Sequence, residues 1–121
     1  MKSTIVWFDI PVGNLDRAIQ FYSEVLGQPV RKERFPGFSM GVLPHVENGI
    51  SGCLAEMDEN APSKTGILIY LNVDGRLEKA VQAVKANGGE VVKDKHAIGP
   101  YGFRAIIIDS EGNRLALHSE K

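Results

Sequence analysis

Two titratable groups near opposite ends of this chain could exchange a proton with a bound molecule: Asp9 in TIVWFDIPV and His118 in RLALHSE. If both segments are strands, alternation places Asp9 on one face with Trp7 and Pro11, and His118 on one face with Ala116. A carboxylate so placed can act as a base or hold an imidazole in one tautomer, and an imidazole titrates near neutrality. Each has a plainer reading beside it. Asp9 can be a solvated or capping carboxylate, and a histidine near a C-terminus can be an exposed or hydrogen-bonded bystander.

Trp7, Tyr70, Tyr101 and Phe103 could wall a site for a planar or apolar ligand, since such rings give a large contact area at low entropic cost. Ordinary core is the competing reading, strongest for Phe103 and evenly balanced for Tyr70. Tyr101 differs because it stands between Pro100 and Gly102 in a loop. His45 and His96 sit in or beside loops and read as surface residues. Cys53 is the only cysteine, which excludes an intramolecular disulfide or a zinc cage built on cysteines. It reads as a small buried hydrophobe, because no basic neighbour in sequence would lower its pKa. There is no Gly-rich phosphate loop, HExxH, GxSxG or CxxC.

The elements that must position these residues come in duplicate. VGNLDRAIQFYSEVLGQPV, residues 12–30, is written again over residues 73–92 as VDGRLEKAVQAVKANGGEVV, pairing Leu15 with Leu77, Ala18 with Ala80, Gln20 with Gln82, Gly27 with Gly89 and Val30 with Val92. Leu15, Ala18, Ile19, Tyr22, Val25 and Leu26 recur at helical spacing and make one apolar stripe. Asn14 predicts the N-cap and Gly27 the left-handed stop. The second helix has Leu77, Ala80, Val81 and Val84 as its stripe, Asp74 or Gly75 at its start and Asn87-Gly88-Gly89 as its stop. Both stripes predict packing against a sheet.

Strand-like runs surround each helix. In the first copy these are residues 4–12, 29–35, 38–43 and 50–57, with a turn at Pro36-Gly37 and a loop over residues 44–49. In the second they are residues 66–73, 90–97, 103–109 and 114–120, with a turn at SEGN. Each unit reads βαβββ. Residues 1–58 make module 1 and residues 65–121 module 2 of a single domain, and the polar DENAPSKT segment, 58–65, links them. In the second opening strand Leu68, Tyr70 and Asn72 take the parity that Trp7, Asp9 and Pro11 take in the first. Val6, Phe8 and Ile10 fall on the other face and are expected under the helix.

With 121 residues, 43% hydrophobic, 24% charged and a formal net charge of −1, the chain is ordinary for a globular domain and shows no basic footprint for nucleic acid or an anionic membrane. Its apolar runs fall far short of the roughly 20 residues of a membrane helix, and no signal core follows a basic N-terminus. A cytoplasmic location is the expectation.

The doubled βαβββ pattern, the LDRAIQFYSEVLG helix with its Phe-Tyr pair, and the FRAIIIDSEGNRLAL strand-turn-strand resemble the vicinal oxygen chelate superfamily, which includes glyoxalase I, bleomycin-resistance proteins and extradiol dioxygenases. The resemblance covers nearly the whole chain. It implies an α+β fold in which two tandem βαβββ modules form a cup-shaped mixed sheet, and four metal-binding positions on the first and last strands of the modules. Those positions map to Trp7, Gly52 or Cys53, Leu68 and Ala116. Trp, Leu and Ala offer no lone pair to a metal, so the expectation is a cup without metal, a bound divalent ion being the alternative. By analogy with the bleomycin-resistance members, the expected function is sequestration or sensing of a small, partly apolar molecule. The candidate ligand-binding set is Trp7, Asp9, Cys53, Leu68, Tyr70, Tyr101, Ala116 and His118. The alternative is a lyase, isomerase or epimerase related to lactoylglutathione lyase, acting on a small carbonyl or thioester with Asp9 and His118 as acid and base. A homodimer is expected, since a small paired-module sheet leaves edges to cover and family members commonly pair this way.

Overall fold

In the computed structural model, which describes residues 3–58 and 60–121, the element order is β1 (Trp7–Pro11), α1 (Leu15–Leu26), β2 (Arg31–Phe35), β3 (Phe38–Val42), β4 (Ser51–Ala55), β5 (Tyr70–Asn72), α2 (Leu77–Ala86), β6 (Glu90–Ala97), β7 (Phe103–Ile108) and β8 (Arg114–Ser119). The strands form two open four-stranded mixed sheets, ordered β1-β4-β3-β2 and β5-β8-β7-β6. In each, the strand before the helix runs parallel to the last strand of its module, and the remaining pairs are antiparallel.

The helices lie on one face of the sheets and pack on each other. Their stripes supply Leu15, Ala18, Phe21, Tyr22, Val25, Leu77, Ala80, Val81 and Val84 to one hydrophobic cluster, joined by Ile10, Leu54, Ala105, Ile107, Leu115 and Leu117 from the strands and by Val12 and Val73 just past β1 and β5. Each fully buried aliphatic side chain in it contributes on the order of 2 kcal/mol relative to exposure. Helix α1 starts as the sequence predicts: the Asn14 side chain accepts from the Arg17 N–H, and Gly27 ends the helix at φ 72°. Gly89, its partner in the repeat, serves a different purpose. A Cβ there would sit 2.7 Å from the Ile108 carbonyl oxygen and from the Phe21 ring, so only glycine lets the chain pass.

Several boundaries differ from expectation for physical reasons. Strand β1 opens at Trp7 because its partner β4 opens at Ser51, after the loop in which Asn48 takes a left-handed φ of 62°. Val6 therefore lies outside the strand, 80% exposed, instead of under the helix. Residues 66–69 are not strand, since Gly66 takes φ 96° and the register with β8 begins at Tyr70. The cap of α2 is Arg76 rather than Asp74 or Gly75, because the Arg76 N–H closes a turn onto Val73 and the first helical bond runs from Ala80 to the Arg76 carbonyl. Asp74 instead accepts from Ser119 Oγ and the Glu120 N–H. The Gly99–Tyr101 loop closes as a single 3-10 turn. No helix among the described residues is long and apolar enough to cross a membrane.

Candidate functional site

The helix-free faces of the two sheets carry the candidate residues, and their register fixes which positions correspond. The Val12 N–H donates to the Ala55 carbonyl, and the Val73 N–H to the His118 carbonyl. Ala55 and His118 are therefore equivalents in the two modules. Two residues earlier, Cys53 beside Asp9 corresponds to Ala116 beside Tyr70. Cys53, rather than Gly52, is thus the equivalent of Ala116 among the positions that the resemblance assigns to a metal; Gly52 is turned under Phe8, whose ring would lie 2.7 Å from a Cβ at that site.

On the first sheet Trp7, Asp9 and Cys53 form one cluster. Trp7 Nε1–H donates to Asp9 Oδ1 at 3.1 Å, and Cys53 Sγ–H donates to the same oxygen at 3.3 Å. Burial, with the hydrogen bond and charge of Asp9 adding to it, pushes the Cys53 thiol up to about 11, outweighing an opposite pull from Trp7. The thiol is thus an inert donor rather than a nucleophile. A divalent metal does not fit the four positions. Trp7, Leu68 and Ala116 offer it no donor atom, and the single thiol is held protonated. Among the described residues no group of three His, Cys, Asp or Glu side chains could hold an ion.

On the second sheet, register aligns four polar residues in one row across all four strands: His96, Arg104, His118 and Asn72. Arg104 Nε–H donates to His96 Nε2 at 2.9 Å, which places the imidazole proton on Nδ1, 2.9 Å from the Asp94 carbonyl. A second guanidinium N–H of Arg104 donates to the Tyr70 hydroxyl. His118 Nε2–H donates to the Tyr101 carbonyl at 2.6 Å, and its ring meets that of Tyr70 edge-on at 6.4 Å. No hydrogen bond among the described residues uses His118 Nδ1.

Between β1 and the approach to β5 lies an open cleft of about 880 Å³, the largest concavity described. Its apolar lining includes Phe8, Ile10, Ile50, Ile67, Leu68, Ile69 and Leu115, and its polar lining Asp9, Asn60, Ser63, Thr65, Tyr70, Asn113 and Arg114. Tyr70 also borders a hollow of about 430 Å³ that includes Asn72, Asp74, His118 and Glu120.

The family model described as the Glyoxalase/Bleomycin resistance protein/Dioxygenase superfamily matches residues 4–117. The chain belongs to that superfamily. A glyoxylase-like domain-containing protein of Didymella fabae is 29% identical over 127 residues, a match covering 97% of this chain and 94% of that protein. Among solved structures, a glyoxalase/bleomycin resistance protein from Albidiferax ferrireducens superposes with TM-score 0.80 at 16% identity, over 98% of this chain and 100% of that one. A glyoxalase-related enzyme from Fulvimarina pelagi gives 0.73 at 15% identity, over 98% and 88%. A glyoxalase I mutant from Zea mays gives 0.74 at 20% identity over 95% of this chain, but only 45% of that one. At such identities these three establish the fold alone.

The structure thus brings the sequence candidates together in two groups, Trp7 with Asp9 and Cys53, and Tyr70 with Tyr101 and His118. Asp9, Leu68 and Tyr70 border the cleft between the groups; Trp7 and His118 share the helix-free faces but do not line it. Ala116 is fully buried beside Tyr70. Sequence reasoning passed over Arg104 and set His96 aside as a surface residue near a loop. His96 instead lies within β6, half-buried, as the acceptor that fixes Arg104. The available signal was Arg104 itself, a cation in the otherwise apolar run FRAIII, on the parity of Ile106 and not of the core residues Ala105 and Ile107.

Proposed function

We propose that this chain is a ligand-binding member of its superfamily that holds a small, partly apolar molecule in the cleft between the modules without a divalent metal, for sequestration or sensing. The observation that carries this reading is the 880 Å³ cleft, whose aliphatic and aromatic walls are joined by a minority of polar side chains, Asp9 and Arg114 among them, the composition expected of a small-molecule site. It stands beside four chelating positions filled by Trp7, Cys53, Leu68 and Ala116. The lyase or isomerase alternative would need Asp9 and His118 to serve one substrate from different sheets. Asp9 Oδ1 is committed to Trp7 and Cys53, and His118 Nε2 to the Tyr101 carbonyl, so such a reaction would have to run through Asp9 Oδ2 and His118 Nδ1.

A thermal-shift screen of small apolar and amphipathic molecules, run on protein dialysed against chelator and again with Ni²⁺, Zn²⁺ or Mn²⁺, tests the reading. Ligand-dependent stabilisation should be the same in both series, and no metal should raise the melting temperature by itself. Stoichiometric metal in the cleft, or stabilisation that appears only with metal, would refute it.

A further inference from the structure

Among the described residues Arg104 is a cation without a counter-ion. None of the four ion pairs among the described residues includes it, and both groups that hold it are neutral acceptors, an imidazole nitrogen and a phenol oxygen. A guanidinium has five N–H bonds in a fixed planar fork, and two are used here, which leaves three to donate elsewhere. His96 and Tyr70 grip the group from either side on the helix-free face, so its orientation is set before any ligand arrives. Asp74 and Glu120 border the hollow beyond His118, and Asp94 stands two residues before His96 on β6. Asp74 is occupied by Ser119 Oγ and the Glu120 N–H, which, with the first of these effects due to Glu120, hold its carboxyl below the ordinary value.

Tyr70 joins this cation to the cleft, because it lines the cleft and its hydroxyl accepts from Arg104. The first module has no counterpart. Val42 pairs with Cys53 as Ile106 pairs with Ala116, so Met40 takes the place of Arg104, and Ala55 that of His118. The two halves therefore differ in kind: where the first module has Glu33, Met40 and Ala55, the second has His96, Arg104 and His118, and the Arg104 cation lies one side chain beyond the cleft, reached through Tyr70.

We propose that the occupant is a small organic anion whose apolar body lies in the cleft and whose acidic group, a carboxylate, phosphate or sulfonate, is bound by Arg104 with His118 and Tyr70 beside it. An oxyanion meets the fork through two parallel N–H bonds, stronger than neutral hydrogen bonds and not reproduced by lysine. The proposal rests on the ligand-binding reading above and adds the charge of the ligand.

A matched pair of fluorescent probes separates the two readings: 8-anilinonaphthalene-1-sulfonate, an apolar ring system with an anionic group, and N-phenyl-1-naphthylamine, the same rings without it. Arg104→Met, which installs the residue of the symmetric position, should weaken the sulfonate about tenfold or more and leave the neutral probe within about twofold. Arg104→Lys should recover only part of the loss. Tyr70→Phe, which frees the fork on one side, should cost the sulfonate less than Arg104→Met does. Near-ultraviolet circular dichroism and the melting temperature identify a variant that has failed to fold, in which case Tyr70→Phe and Arg104→Lys carry the comparison. Equal losses for both probes, or no loss for either, would overturn the anion assignment while the cleft remained a binding site. Failure of the folded wild type to bind either probe would overturn both readings.

Discussion

The Tyr22 hydroxyl of α1 donates to Asp109 Oδ2, just past the end of β7, and this buried bond ties the first module to the second. Asp109 also accepts from the Asn113 side chain, and its Oδ1 takes the N–H groups of Glu111 and Asn113. Asn113 reaches on to the Pro11 carbonyl in the first module. Glu111 takes the N–H groups of Gly13 and Asn14 and two N–H groups of Arg17, so the SEGN turn plugs the N-terminal end of α1. At the other end Arg76 donates to the Val25 carbonyl. The module interface that frames the cleft is thus fixed by polar bonds at both ends of one helix.

Tyr22→Phe should therefore destabilise the fold more than a surface change would, because it deprives a buried carboxylate of a donor. The cost should be about 1 to 3 kcal/mol, read as a lower denaturation midpoint with an unchanged urea slope. Unaltered stability would show that the bond does not hold the modules.

Acid should loosen the same joint. Burial pushes the Glu111 carboxyl up, but hydrogen bonds from Arg17, Ser110 and the Asn14 N–H outweigh it and hold the pKa at about 2, against 4.5 ordinarily. A depressed carboxyl contributes stability that is fully present above the unfolded value and is lost as pH falls toward the folded one, because the unfolded chain takes up the proton first. Stability should drop between about pH 4.5 and pH 2, by on the order of 2 kcal/mol once screening at the half-exposed Arg17 is discounted. Glu111→Gln should flatten this part of the pH profile. At the alkaline end, burial first and the Asp109 charge second raise the Tyr22 pKa well above 10, so the Tyr22 contribution is present below pH 10 and fades above it.

Much of this architecture can be read from the residues, and the exceptions follow a pattern. Helical periodicity located α1 and α2, and alternation separated Phe8 and Ile10 on the core side from Trp7 and Asp9 on the open face, because those signals are local. The Phe-Tyr pair and the SEGN turn stood out in the sequence, yet the bond from Tyr22 to Asp109, just before that turn, spans 87 positions and no spacing rule predicts it. Strand ends were overestimated wherever apolar runs outlast their partners, as at Val6 and Ile67, since a strand ends where its neighbour does. The Arg104 row was missed because it is a lateral alignment across four strands, set by register and invisible to a reading along the chain.

The apolar residues exposed beside the sheet edges, of which Ile67 also borders the cleft, predict self-association. Strands β1 and β5 each end a sheet, and Val6 and Ile67 next to them are 80% and 88% exposed, a pattern suited to cover by a second copy. Light scattering should give about twice the 13.2 kDa chain mass, and Ile67→Lys should shift the population toward monomer. A wild type that is strictly monomeric at working concentration would show that these residues stay open.

Trp7 and His118 provide the comparison that decides between binding and catalysis. Trp7 orients Asp9, which lines the cleft, through the indole N–H bond at 3.1 Å. Trp7→Ala should release that carboxylate and uncover the Cys53 thiol, weakening ligand binding by about 1 to 3 kcal/mol if the ring also touches the ligand. His118→Ala removes a ring that leans on Tyr70 and anchors the Tyr101 loop through its carbonyl. In a binding protein it should lower affinity modestly and mobilise Tyr101, whose side chain is 73% exposed. In an enzyme that uses His118 Nδ1 as acid or base, the same variant should still bind substrate but lose turnover by about 10² or more. The proposed function predicts the first outcome: a small change in Kd, measured by titration, with no catalysed conversion of a glutathione hemithioacetal by either wild type or variant. Turnover in the wild type that disappears in His118→Ala at unchanged Kd would transfer the protein to the lyase and isomerase branch of its superfamily.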